Sequence, residues 1–445
     1  MDENGITSFS TAINSNLSIN AHQRTRIAMN LKTLSFGVLA IVGAISCTSK
    51  QAELAQGPWL GRLIPDSTEK SMEVPFNMNV VKDSSNRYVI SILNATETIK
   101  VTEIAIKGDS IDIKLPVFLS EIVARIYPDS LVGQYFPKGK ENGHGYAFYA
   151  LKGITDRFPN ATEAPEVNVS GRWEITENPG TPDSTNMVGE FTQTGATVVG
   201  TWLNSGGDMR YLQGKVAGNK LMLSAVDGAH TLIMTADVPS DNQMVNGKFL
   251  GSARWKSVWS AVRNNNADLP PVESLIHLKK GATNKFAFAC VDLNGDTVRL
   301  SDSRFKNKVV IVSASGSWCP NCMDEVRFYS QLYNKYKSQG LEIVALCFEN
   351  KDLESSKKGI ERFADQTGAK FTFLYAGPRG KATMDKVLYN LDGMVAFPTS
   401  IFINRNGNIV KLHTGFSGPG TGEHYTKLVN ETTAFVEKLL AEKAK

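Results

Sequence analysis

Two textures divide the chain. From Gly57 to Arg263 apolar and polar residues alternate in short runs, as in "YVISI" (Tyr88–Ile92), "IDIKL" (Ile111–Leu115) and "KLMLSAV" (Lys220–Val226), with Gly, Asn and Asp at the breaks. A period of two bounded by turn residues predicts half-buried strands, and no convincing amphipathic helix interrupts them. The half also repeats itself. "IAIKGDSIDI" (Ile104–Ile113) has the pattern of "GKVAGNKLML" (Gly214–Leu223), "SLVGQYF" answers "QMVNGKF", and "PWLGR" answers "SGRWE". The expectation for 57–263 is a duplicated all-β meander that closes as a barrel or a sandwich; chance likeness among short strand-turn-strand segments is the alternative.

Beyond "RNNNADLPPVESLIHLKKG" (Arg263–Gly281), whose Asn run, Pro pair and Lys pair read as a linker or surface strap over 264–282, the pattern changes. A hairpin at "CVDLNGDTVRL" leads to the apolar strand "KVVIVSAS" (Lys308–Ser315). A helix follows with Val326, Tyr329, Leu332, Tyr333 and Tyr336 at three-and-four spacing on one face. Then come strand "LEIVALCFE", helix "DLESSKKGIERFADQ", strand "KFTFLYA", helix "ATMDKVLYN", and a hairpin turning at Asn406-Gly407. The last helix lines up Tyr425, Leu428, Val429, Thr432, Val436 and Leu439. Strands alternating with helices and closed by a hairpin predict an α/β domain over 283–445, a mixed sheet covered on both sides.

Length sharpens the division into domains. A chain of 445 residues exceeds one ordinary core. Its 48 Lys and Arg against 44 acids leave a net charge of +4 with no basic block, so nucleic acid is not an expected partner. The segment 29–46, "MNLKTLSFGVLAIVGAIS", has one basic residue and an apolar run from Leu34 to Ile45 that suits a signal peptide better than a bilayer span. It ends at Cys47 in "AISC". A lipoprotein signal with Cys47 lipidated, a simple cleaved signal, and a buried core helix are the three readings, the first preferred. Residues 1–28 then read as a non-native leader with Met29 as the start, and 47–56 as a tether. Removing 1–46 would take away three basic and two acidic residues, leaving 45 against 42.

The chemistry concentrates in "GSWCPNCMDE" (Gly316–Glu325). A Cys-x-x-Cys pair is half of a zinc site, a short structural disulfide, or a dithiol that cycles. Zinc needs two further ligands, and Cys290 and Cys347 sit in separate strands while His413 and His424 stand alone. A bridge across three positions closes too small a loop to stabilise much. Position favours the third reading. Cys319 falls at the first turn of a helix just past a central strand, where unpaired N–H groups and the helix dipole favour a thiolate, and such cysteines titrate near 7 or below instead of about 8.5. Cys319 is the expected nucleophile, and Cys322, one turn inward, the thiol that resolves the mixed disulfide.

"SGSWCPNCMDE", the later "FPTSIFINRNG" and the strand order resemble the thioredoxin-like fold, in particular the exported, membrane-tethered thiol-disulfide oxidoreductases described as TlpA-like or ResA-like. The resemblance covers about Thr283 to Lys445. It implies that Cys319 attacks, Cys322 resolves, Trp318 shields and presents the pair, and Pro398 is a cis-proline facing the sulfurs whose backbone pairs with a substrate peptide. Glu349 matches an acidic position near the cysteines, with proton handling for Cys322 as the implied role and a surface carboxylate as the alternative. Two departures stand out: Ser313 replaces the buried aspartate that cytosolic thioredoxins keep six residues before the first cysteine, and bulky Phe397 precedes the proline.

The expected activity is reduction of protein disulfides in the cell envelope or periplasm by a membrane-anchored bacterial lipoprotein. No cofactor beyond the Cys319–Cys322 disulfide is expected; apocytochrome c is a candidate client and a membrane thiol-reducing relay the electron donor. An oxidant or isomerase is the rival reading, and a β half that binds glycan or protein, with the redox domain as accessory, is another. Cys290 and Cys347 read as buried apolar residues. Trp59, Trp173, Trp202, Trp255 and Trp259 read as core before ligand platform. "GFSGPGTGEHY" (Gly415–Tyr425) reads as a mobile loop capping the last helix, not as a phosphate cradle.

Overall fold

The structure, a computed structural model, describes residues 52–68, 72–252, 255–393 and 396–443; the leader, the signal segment and Cys47 lie outside the described residues. Two nine-stranded antiparallel sheets occupy Gly57 to Arg263. In each the first strand pairs with the last: Gly57–Ile64 with Tyr146–Lys152, and Gly171–Glu177 with Trp255–Arg263. The second sheet closes fully, because Thr185–Thr194 and Thr197–Asn204 also pair. The first stays open between its edge strands Glu97–Val101 and Glu103–Lys107, which follow one another in the chain.

The duplication is visible in detail. Gly57 and Gly171 open their strands at φ 111° and 117°, and each is followed two residues later by a tryptophan. Trp59 Nε1 donates to the Ala55 carbonyl at 3.0 Å and Trp173 Nε1 to that of Val169 at 2.9 Å, four residues back in both cases. The hairpins Glu103–Lys114 and Leu212–Val226 hold matching places in the two meanders. Trp59, Trp173, Trp202 and Trp259 are core, and Trp255 alone of the five reaches the surface.

One sequence expectation needs correction here. Ala52–Gln56, read as part of the tether, lies on the first barrel: Ala52 N–H donates to the Gly108 carbonyl at 2.8 Å, Leu54 N–H to the Tyr88 hydroxyl at 3.1 Å, and the Leu54 side chain is buried. Burial of Leu54 and these backbone bonds together fasten so short a segment.

The strap 264–282 carries one helical turn, Val272–Leu275, and a strand, Ile276–Leu278, that pairs with Leu391–Gly393 in the following domain. That domain has a seven-stranded sheet in the order Thr297–Arg299, Ala289–Val291, Thr372–Pro378, Leu341–Glu349, Val309–Ser315, Thr399–Ile403, Ile409–Thr414. Val309–Ser315 is parallel to Leu341–Glu349, antiparallel to Thr399–Ile403, and buried along its whole length. Its Val309 and Ile311 face a core shared with helices Pro320–Tyr336, Leu353–Thr367 and Glu423–Ala441; Val310, Val312 and Ala314 face Phe286, Phe288 and the short helix Lys381–Val387. Val117 and Phe118 of the first barrel enter the former core, and Arg362 binds that barrel through the Leu115 carbonyl (2.8 Å) and Glu103 (2.7 Å).

Periodicity assigns the helix Pro320–Tyr336 one apolar face, yet Asp324, Glu325, Phe328 and Ser330 are buried as well. Different neighbours cover them: Arg210 of the second barrel covers Asp324, Phe416 of the loop before the last helix packs on Phe328, and Glu325 turns inward to hydroxyls of the sheet.

Candidate active site

The strand Val309–Ser315 delivers the chain to Gly316, and the turn to the helix is tight. A Cβ on Gly316 would lie 2.5 Å from Trp318 Nε1 and 3.1 Å from the Phe348 carbonyl oxygen, so only glycine lets the indole fold back over the strand end. Trp318 Nε1 donates to that carbonyl at 2.8 Å. Its ring meets Phe397 edge-on at 5.3 Å, and the Arg379 guanidinium lies 4.6 Å from its centre. Pro320 at the first helical position needs no N–H partner and sets the helix start.

Cys319 is the N-cap of that helix and is disulfide-bonded to Cys322. Its Sγ accepts the Cys322 N–H at 3.1 Å, the bond a thiolate would keep after reduction, and lies 3.6 Å from the Phe397 carbonyl oxygen. Phe397–Pro398 is a cis peptide bond. Cys319 is 4% exposed and Cys322 fully buried, so the outer sulfur is the one a substrate can reach. The other two cysteines among the described residues, Cys290 and Cys347, are free and buried, and desolvation pushes both thiols upward, Cys290 to about 11.

Two buried carboxylates flank the pair. Glu349 ends the strand Leu341–Glu349 and accepts both the backbone N–H and the hydroxyl of Ser317 at 2.8 Å, tying the turn before the cysteines to the neighbouring strand. Burial raises its pKa, and the Ser317 donors and Arg379 pull against that rise. Glu325 was not foreseen from the sequence. It lies three residues beyond Cys322 on the same inward helix face, is 1% exposed, and accepts hydrogen bonds from the Ser313 and Ser400 hydroxyls, the latter at 2.8 Å. The Tyr329 hydroxyl joins through Ser400 Oγ at 2.8 Å. Desolvation pushes Glu325 up to about 7, the hydroxyl donors lowering it only partly. Ser313, noted as the departure from an aspartate, therefore serves a carboxylate supplied by the helix instead of the strand. The signal was an acid at i+3 from the inner cysteine.

The disulfide at a helix N-terminus, beside a cis-proline and at the carboxyl end of a central strand, defines a thiol-disulfide oxidoreductase of thioredoxin fold. Residues 279–428 match the family model described as Redoxin. The chain is 32% identical over 144 residues to the thiol-disulfide oxidoreductase ResA of Halalkalibacterium halodurans, covering 32% of this chain and 73% of that protein. It is 29% identical over 159 residues to the ResA of Bacillus thuringiensis subsp. konkukian, covering 35% of this chain and 81% of the relative. Among solved structures, a thioredoxin-family thiol:disulfide interchange protein from Chlorobium tepidum is similar over 36% of this chain and 99% of its own, at 19% identity and a TM-score of 0.28. Through its C-terminal domain the chain belongs to the ResA family of thiol-disulfide oxidoreductases.

Proposed function

We propose that the protein reduces protein disulfides in the bacterial cell envelope, with Cys319 as nucleophile and Cys322 as resolving thiol. The observation that carries this reading is the Cys319 sulfur at the helix N-cap, set against the Phe397 carbonyl and the cis Pro398. In the reduced enzyme the Cys319 thiolate attacks one sulfur of the client disulfide; an S–S bond forms between enzyme and client and the client's other sulfur leaves as a thiolate. Cys322 loses its proton, attacks Cys319 Sγ, and releases the second client thiolate. Two electrons pass to the client and the enzyme is left as the Cys319–Cys322 disulfide, needing no cofactor.

Proton handling for Cys322 falls to Glu325 in preference to Glu349. Glu325 shares the helix face of Cys322 and sits near the working pH, where a buried carboxyl serves as both acceptor and donor. Glu349 is engaged at Ser317 and acts by holding the turn. Pro398 and Phe397 shape the seat for the client backbone, and Trp318 covers the dithiol. A membrane thiol-reducing relay regenerates the dithiol, Cys47 carries the lipid that keeps the protein at the membrane, and apocytochrome c is a fitting client because it must be reduced before haem attachment.

A glutathione titration of the protein, followed by tryptophan fluorescence with Cys322→Ser as control, tests the direction. A midpoint at about −250 mV or below fits a reductant; one above about −180 mV fits an oxidant and overturns the proposal.

A further inference from the structure

The second barrel reaches the dithiol cleft. Its turn at Ser205–Gly206, between the strands Thr197–Asn204 and Gly207–Asp208, packs on the redox domain through glycine. A Cβ on Gly207 would fall 1.9 Å from Asn321 Nδ2, so this residue touches the side chain that stands between Pro320 and Cys322. One on Gly206 would fall 3.4 Å from Ala396 Cβ, next to the cis Phe397–Pro398 bond, and one on Gly415 would fall 2.8 Å from the Ser205 carbonyl oxygen. Gly207 and Gly415 also have φ of 145° and 80°, so glycine is required there twice, for conformation and for close approach. The glycine-rich loop before the last helix is thus a docking surface for this turn.

A buried ion-pair cluster holds the turn in place. Arg210, 3% exposed, binds Asp324 at 2.6 Å, Asp227 at 3.2 Å, and Glu97 of the first barrel. Asp208 Oδ2 accepts the Gly418 N–H at 2.6 Å. Asp324 belongs to the first turns of the helix that carries both cysteines, so the cluster ties the turn to the redox centre itself. Two features oppose it. Asn321 Oδ1 is buried with no partner among the described residues, and Arg210 sits at φ 58°, a left-handed conformation that disfavours a side chain.

We infer that the Asn204–Arg210 segment of the second barrel is a specificity-determining wall of the cleft. Seated on Asn321 and beside Ala396, it closes one approach to Cys319, admits small or locally unfolded disulfides, and excludes disulfides on rigid protein surfaces unless the turn lifts. The inference rests on Cys319 being the attacking thiol, as proposed above.

The test measures access, which does not depend on the direction of electron flow. The full chain, fully reduced, is treated with N-ethylmaleimide or with a long polyethylene-glycol maleimide, and labelling is followed at the Cys319 peptide by mass spectrometry, with glutathione as the unhindered reference. The ratio of bulky to small reagent rates is expected to lie about tenfold below that of glutathione in the wild type, as for an equilibrium strongly biased to a closed state. Gly207→Val, which pushes the turn off Asn321, and Asp324→Asn, which weakens the cluster while keeping shape, are each expected to raise the ratio several-fold with the N-ethylmaleimide rate unchanged. A wild-type ratio equal to that of glutathione overturns the inference, as does a low ratio that neither variant raises. Should Gly207→Val melt early, Asp324→Asn decides alone. Labelling of Cys322 with Cys319 inert would overturn the attacking-thiol assignment and the inference together.

Discussion

Asp324 and Glu325 are neighbours in sequence, both buried and both acidic, yet they belong to different regions of the molecule. Glu325 points into the redox core, where its partners are the hydroxyls of Ser313 and Ser400. Asp324 points to the second barrel and binds Arg210, with Arg327 at 3.6 Å. Burial raises both pKa values, but beside Asp324 the arginines pull back while Glu325 has only neutral donors. The difference shows what decides the use of a buried carboxyl. Neutral donors leave it able to exchange a proton near pH 7, whereas a guanidinium commits it to holding two domains together.

The strongest way to break this comparison is to remove the cation. Burial opposes the charge of Arg210, but Asp324, Glu97, Asp227 and Asp208 hold it protonated well above its ordinary value. Arg210→Met leaves those carboxylates facing one another and is expected to destabilise the protein by about 3–5 kcal/mol in urea unfolding. A loss below about 1 kcal/mol would show that the cluster holds nothing together.

Next is the proton on Glu325. Its pKa rises from 4.5 to about 7 on folding. A raised folded-state value means the stabilising contribution is complete below pH 4.5 and is lost as pH climbs through 7, a total of about 3 kcal/mol. Glu325→Gln, which keeps the shape without the charge, is expected to remove that slope and to be the more stable form at pH 8. Unfolding curves of the oxidised protein at pH 4, 6 and 8 measure it; parallel slopes in the two proteins would refute the shift.

The smallest effect sharpens the comparison. Ser400→Ala removes a hydroxyl that favours the ionised Glu325. The pKa is expected to rise further, by up to about one unit, in a carboxyl-specific titration by NMR or infrared. A fall would mean that the hydroxyl favours the neutral acid.

Much of this was legible locally. Alternation announced the strands of both barrels, and the matching pairs "PWLGR" with "SGRWE" and "IAIKGDSIDI" with "GKVAGNKLML" lie at equivalent places in the two meanders. Three-and-four spacing announced the helices and the Val326, Tyr329, Leu332 and Tyr336 face. Glu325 escaped because a carboxylate on an otherwise apolar face reads as a solvated residue until the hydroxyls of Ser313 and Ser400, from two other strands, are known to converge on it. The segment Ala52–Gln56 was misread because its small and polar composition hides Leu54, which is buried in the first barrel's core.

By itself, then, the sequence determined the elements, the division between β and α/β halves, and the place of the cysteine pair at a helix start, because periodicity, turn chemistry and a helix N-terminus after a buried strand are local physics. Tertiary structure alone decided that the two halves meet at the dithiol. Contacts such as Arg210 with Asp324, or Gly207 with Asn321, join residues more than a hundred positions apart, and nothing in the local pattern of either partner records the other.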